Sequence, residues 1–199
     1  MRQPSHPLDI FLLVRPRLVS IVLAAALAAI SAPGVAAAGK KPSTPKRKGP
    51  TPQQKVQAAV KTAEHSPDLW ATVNVCTSAP APTGDTVGIR GQMPSLGIAA
   101  TLLMKISVSY WNGSAFQPTS ASRNISLGKG THGVHQAGVN FPFSPPASGN
   151  NYLVRGTITF EWTIGAKVVG QVTRNTGHGY ANVGFANPPG FSAGTCTLT

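Results

Sequence analysis

An all-β, antiparallel β-sandwich is the fold class this sequence predicts, and three observations predict it. Apolar residues recur with a period of two from Leu69 onward. Turn residues punctuate those runs at regular spacing, and the only two cysteines stand near the two ends of the region. The 199 residues allow one domain with flanking segments.

Carboxylates are scarce. Asp9, Glu64, Asp68, Asp85 and Glu161 face 17 Lys and Arg, for a formal charge of +12. Paired-carboxylate hydrolysis and acidic metal cages need clustered acids, so this composition counts against both.

Residues 1–38 read as a secretory signal. Arg2, Arg15 and Arg17 make a basic start, an apolar run follows from Leu18 to Ile30, and small residues fill Ala36-Ala37-Ala38 before Gly39. The run is 13 residues long, short of the roughly 20 that a spanning helix needs. Ser31, Pro33 and Gly34 block its extension. Cleavage between Ala38 and Gly39 is the expectation, giving an extracytoplasmic chain with no transmembrane span. An uncleaved N-terminal anchor is the alternative, given the long segment before the apolar run.

The next stretch, 39–55, carries Lys40, Lys41, Lys46, Arg47, Lys48 and Lys55 with no acid and no large apolar residue. It cannot bury apolar surface, and its prolines favour extended backbone, so a disordered linker is expected. Outside a membrane such a tail is drawn to an anionic envelope polymer or lipid headgroup, screened over about 8–10 Å at physiological salt. A solvated spacer is the equal alternative. Export argues against nucleic acid as the partner, and phosphate contacts alone read no sequence.

A short helix is expected over 51–66. Thr51-Pro52-Gln53-Gln54 fits a capping box with proline at the first helical position, and Val56, Ala59, Val60 and Ala63 recur at helical spacing before Ser66-Pro67. Half of its apolar stripe is alanine, so weak docking is expected.

The β domain spans 69–199. Leu69, Ala71, Val73 and Val75 alternate with Trp70, Thr72 and Asn74, and Leu102, Met104, Ile106, Val108 and Tyr110 form a second apolar row. The longest case runs from Tyr152 to Ile164: Val154, Ile158, Phe160 and Trp162 share one face, while Arg155, Thr157, Thr159 and Glu161 share the other. Further strands are expected near 86–92, 122–127, 132–141, 166–174 and 194–198. Asn112-Gly113 predicts a type I′ hairpin turn. At Gly165-Ala166 a three-residue loop sets Val168 and Val172 beside apolar partners, whereas a two-residue loop sets them beside Thr163 and Thr159. The odd loop is therefore favoured, with Val169 unexplained. Seven or eight short strands and no interior helix suit an immunoglobulin-like sandwich, with a jelly roll or barrel as alternatives.

Cys76 and Cys196 fall on the first and last predicted strands. In an oxidising compartment a disulfide is expected, fastening the two ends of the fold. No Cys-x-x-Cys pair suggests redox chemistry.

Catalytic constellations are hard to assemble. No Gly-x-Ser-x-Gly elbow occurs, and Glu161, in the middle of a strand's polar face, suits a cross-strand ion pair. His132 and His135, three apart on a strand, would point to opposite faces, so no metal site or cofactor is expected. Asn112-Gly-Ser and Asn124-Ile-Ser match glycosylation sequons by chance, because the alanine-rich signal looks bacterial. The long segment 175–193, rich in Gly, Asn and Pro, carries Tyr180, Phe185 and Phe191. These rings either stack on a ligand or cover one end of the sandwich.

Thr72-Val73-Asn74-Val75-Cys76, Val87-Gly88-Ile89-Arg90-Gly91-Gln92-Met93-Pro94 and Phe160-Glu161-Trp162 with Gly165-Ala166-Lys167-Val168-Val169 resemble secreted actinobacterial β-sandwich proteins of unknown function. The resemblance covers about 69–199 and implies secretion and the sandwich; it transfers no catalytic residue. Arg90 and Arg155 join the three rings as binding candidates. Two function classes stay open: an exported non-catalytic module that binds a surface protein or anionic polymer at the envelope or serves only as structure, and a secreted hydrolase of wall or carbohydrate substrates using His178 or Glu161.

Overall fold

The computed structural model describes residues 49–78, 84–147 and 149–199. The expected export signal, its Ala38–Gly39 junction and the tail cations Lys40, Lys41, Lys46, Arg47 and Lys48 lie outside them. Among the described residues no helix is long and apolar enough to cross a membrane.

The described residues form one helix and eight strands in order: α1 (Pro52–Glu64), β1 (Trp70–Thr77), β2 (Asp85–Pro94), β3 (Ala100–Trp111), β4 (Phe116–Gly130), β5 (Val134–Phe143), β6 (Tyr152–Ile164), β7 (Lys167–Asn175) and β8 (Cys196–Leu198). All strand pairs are antiparallel. One sheet has the order β1-β2-β5; the other has β4-β3-β6-β7, with β8 joining β6 beyond the end of β7. Strands one, two and five in one sheet and three, six and seven in the other are the immunoglobulin-like division. Here the fourth strand lies at the edge beside β3 rather than beside β5. The fold is the expected antiparallel β-sandwich.

The period-two pattern explains the core. Val87, Ile89 and Met93 of β2 meet Leu102, Met104, Ile106 and Val108 of β3 and Ile158, Phe160 and Trp162 of β6, all almost fully buried. The Trp162 indole keeps its N–H satisfied by donating to the Pro94 carbonyl at 2.8 Å.

Thr51 caps α1 in a complete capping box with Gln54, and Pro52 opens the helix without losing a donor. The helix is more than an outlying element. Val60 and Ala63 are buried in the main core, and the Arg174 guanidinium of β7 donates to the Glu64 carbonyl at 2.8 Å. The helix comes close to β7 where Val60 meets Gly170, which has no side chain.

Two turn expectations are corrected. Asn112-Gly113 belongs to a four-residue loop between Trp111 and Phe116, and only Gly113 has positive φ. The Asn112 side chain accepts from the backbone N–H groups of Ser114 and Ala115, so its amide oxygen closes the turn that a type I′ backbone would have made. Gly165-Ala166 is a two-residue loop, with Ile164 opposite Lys167 and Thr163 opposite Val168. Gly165 alone has positive φ, the pattern of a type II′ turn. Register then shifts, so that Trp162 opposes Gly170 and Phe160 opposes Val172. Val169 is the extra residue of a bulge. Turn chemistry fixes the even loop, and one inserted residue restores the apolar match further along.

Cys76 of β1 and Cys196 of β8 form a disulfide with Cα atoms 5.5 Å apart. It ties one sheet to the other and the first strand to the last.

Candidate functional site

The segment 176–195 is not a free loop at one end of the sandwich. It folds back over the outer face of the three-stranded sheet and along the free edge of β1. Gly177 N–H donates to the Ala71 carbonyl, Val73 and Ala193 exchange both backbone bonds, and Asn187 N–H donates to the Asn74 carbonyl. The edge strand's exposed donors and acceptors are thereby satisfied within the chain. Thr72 Oγ1 adds contacts to the Gly177 carbonyl and to Ser192. Gln136 of β5 grips the segment from the far side, donating to the Asn182 carbonyl and accepting from Gly184 N–H.

The three aromatic candidates separate. Tyr180 stacks on Trp70 of β1, ring centres 5.0 Å apart and planes 14° from parallel. Phe191 is partly buried against the main core. Both rings cover the sandwich and neither is displayed for a ligand. Phe185 is the reverse: it is 88% exposed and its backbone has φ of 53°, a conformation that bulky residues rarely adopt.

The two arginine candidates separate as well. Arg155, on the outer face of the other sheet, lies 4.0 Å from the Phe116 ring centre, and its Nε has no hydrogen-bond partner among the described residues. Arg90 points from β2 under the folded-back segment and is only 8% exposed. Its Nε donates to the Gly184 carbonyl at 2.6 Å, and its guanidinium carbon is 4.7 Å from the Phe185 ring centre. Outward faces of opposite sheets cannot serve one small ligand. Arg90 and Phe185 meet; Arg155 stands apart.

A depression of about 330 Å³ opens beside this pair, lined by Asn74, Arg90, Gly138, Val139, Asn140 and Phe185. Asn74 reaches it through a bulge. Register shifts between Val73 and Val75, leaving Asn74 as the unpaired residue of β1. Its amide nitrogen donates to the Phe185 carbonyl at 3.0 Å and the Gly184 carbonyl at 3.3 Å. Gly88 of β2 lies beneath the Asn74 and Asn140 side chains. A Cβ there would come within 2.6 Å of the Asn140 amide oxygen and 2.7 Å of that of Asn74, so both oxygens converge above the missing side chain. Gly138 is equally confined, with 2.5 Å from a built Cβ to the Ile89 carbonyl oxygen.

Burial alone draws the Arg90 guanidinium below its ordinary pKa. Among the described residues the one ion pair is Lys105–Glu161, at 2.6 Å on the outer face of the other sheet, so no carboxylate balances Arg90. Glu161 makes the expected cross-strand pair but is far more buried than a solvent-facing position implies, 4% exposed. His135 Nε2 lies 3.1 Å from Ser95 Oγ, and His132 and His178 are exposed. No group of three metal-ligating side chains occurs among the described residues.

Sequence reading missed Asn74, Asn140, Gly88 and Gly138. One signal was there to find: a glycine inside a strand pattern, as at Gly88, marks a bulge or a close approach. It also missed a wider groove of about 490 Å³ at one mouth of the sandwich, walled by Tyr110, Phe143, Tyr152 and Leu198.

No family model and no curated protein matches this chain. Among solved structures it is similar to a protein assigned as a beta-galactosidase from Bacteroides fragilis, at 15% identity and a TM-score of 0.32, over 56% of this chain and 16% of that one. It is similar also to a glycosyl hydrolase family 2 member from Bacteroides cellulosilyticus, at 12% identity and a TM-score of 0.32, over 57% of this chain and 15% of that one. Likenesses this slight, to a small fraction of far longer proteins, carry no argument about function.

Proposed function

We propose that this chain is an exported, non-catalytic β-sandwich module that binds its ligand on the outer face of the three-stranded sheet, at a bacterial cell envelope or after release from it. The observation that carries the reading is Arg90: a buried guanidinium that no carboxylate among the described residues balances, beside an exposed and strained Phe185, at the edge of a depression. Burying a charge is costly unless something compensates it, and a ligand is the natural compensation. Export is supported by the expected signal over 1–38 and by a disulfide, which suits an oxidising compartment. The resemblance to secreted actinobacterial sandwich proteins fits the same reading.

The alternative, a secreted hydrolase of wall or carbohydrate substrates, has less support. Its two acid–base candidates do not line the depression, and Glu161 is engaged by Lys105 on the other sheet. The basic stretch 39–50, ahead of the α1 cap, acts in this proposal as a second, salt-sensitive tether to an anionic polymer.

Retention of the full chain on purified bacterial cell wall tests the reading. Deleting 39–50, which spares the cap and first turn of α1, should remove the part of retention that salt disrupts, and Phe185→Ala the part that survives salt. Retention unchanged by both alterations would sink it.

A further inference from the structure

The depression over β2 has a chemistry specific enough to name its ligand class. With its Nε committed to the Gly184 carbonyl, Arg90 has its terminal amines left to present a planar fork, the geometry that matches a carboxylate. A single cation lines the cavity, so one negative charge is the complement, and no second basic side chain supplies the extra donors that a phosphate would use. No acid lines it either, which leaves an amino acid's ammonium group without a partner. The amide oxygens of Asn74 and Asn140 converge over Gly88 and accept no hydrogen bond among the described residues, so they are free for hydroxyl donors. Phe185 supplies an apolar wall of the kind that packs against the C–H face of a sugar ring.

Resting on the binding-module reading above, we infer that this depression holds a uronic-acid residue of an acidic saccharide. Arg90 takes the carboxylate, Asn74 and Asn140 take ring hydroxyls, and Phe185 walls the pyranose. The cavity, about 330 Å³, sits at the small end of ligand pockets, which run from about 300 to 1,000 Å³. One sugar residue is therefore recognised, with the chain continuing into solvent. The backbone strain at Phe185 and the bulge at Asn74 are both features that place a side chain where regular structure would not.

Calorimetric titration of the full chain with glucuronate and galacturonate, against glucose, galactose and acetate, tests this. Monosaccharides are used because the basic tail attracts any polyanion. Each uronate should bind at least tenfold more tightly than its neutral counterpart and than acetate. Arg90→Met should abolish the preference over the neutral sugar, Phe185→Ala the preference over acetate. Asn140→Ala, an exposed position, should weaken the uronates severalfold without disturbing the fold. Equal binding of uronate and neutral sugar, or a preference untouched by Arg90→Met, overturns the charge recognition. Acetate matching the uronates overturns the saccharide and points to a bare carboxylate, as at a polypeptide terminus. If no uronate binds while wall retention still depends on Phe185, the inference falls and the binding-module reading stands. If uronate binds but wall retention ignores Phe185, the envelope role falls and the site assignment stands.

Discussion

Val60 of the helix occupies the space that Gly170 of β7 leaves empty. A Cβ built on Gly170 would lie 2.5 Å from Val60 Cγ1, 3.0 Å from Cγ2 and 3.3 Å from the Trp162 ring. Helix and sheet can approach this closely only because one side has no side chain. Gly170→Ala should therefore destabilise the fold by about 1–3 kcal/mol, as other overpacked cores do. Pairing it with Val60→Ala should recover part of the loss. Denaturant midpoints of the two single variants and the double decide it; additive losses would show that the two sites do not share this space.

The Cys76–Cys196 bridge closes a sequence separation of 120 residues. Loop-closure entropy sets an expected contribution of about 4–5 kcal/mol, reduced by any structure that survives in the unfolded chain. Reductant should lower the urea midpoint of the native protein toward that of Cys76→Ser/Cys196→Ser, which should itself ignore reductant. A native midpoint insensitive to complete reduction would refute the role.

Lys105 is half exposed while its partner Glu161 is almost fully buried. Losing the lysine leaves a buried carboxylate without its donor, so Lys105→Met should cost about 1–3 kcal/mol. Lys105→Met combined with Glu161→Leu should recover most of that. The double-mutant cycle reads the asymmetry directly, and equal losses for the single and double variants would contradict it.

Asn74 ties the folded-back segment to β1 at Gly184 and Phe185. Asn74→Ala should leave the sheets intact but loosen that contact. Amide hydrogen exchange over 182–187 should then accelerate severalfold while exchange in β2, β3 and β6 holds. Acceleration spread evenly through the molecule would argue against a local anchor.

Arg90 buries its charge with no carboxylate to balance it among the described residues. Arg90→Met keeps the apolar stem and removes the charge, so stability should change by less than about 1 kcal/mol in either direction. Thermal melting checks this. A loss of several kcal/mol would make Arg90 a structural tie rather than a group kept for a ligand.

Several of these features are legible in the order of the amino acids. The helix cap at Thr51, the strand around Val154–Trp162 and the engagement of Glu161 by some cross-strand cation follow from spacing alone; that the cation is Lys105 needs the register. Others depend on two local signals that compete. At Gly165-Ala166 the apolar match demands an odd loop and the glycine demands a tight even one. A bulge at Val169 satisfies both, and no count of residues foretells it. Tyr180, Phe185 and Phe191 look alike in the sequence; their fates diverge because Trp70 and the main core offer cover to two of them and not the third.

What the chain determined by itself was which faces of its strands meet the apolar core and which two sulfurs must meet, because alternation and cysteine number are properties of the chain read locally. What the tertiary structure alone decided was the union of Arg90 with Phe185, Asn74 and Asn140. Those residues come from β2, a bulge in β1, β5 and a segment that folds back to pair with the free edge of β1. That edge becomes available only once the sheet exists, so the convergence is a consequence of the fold and is written in no local pattern.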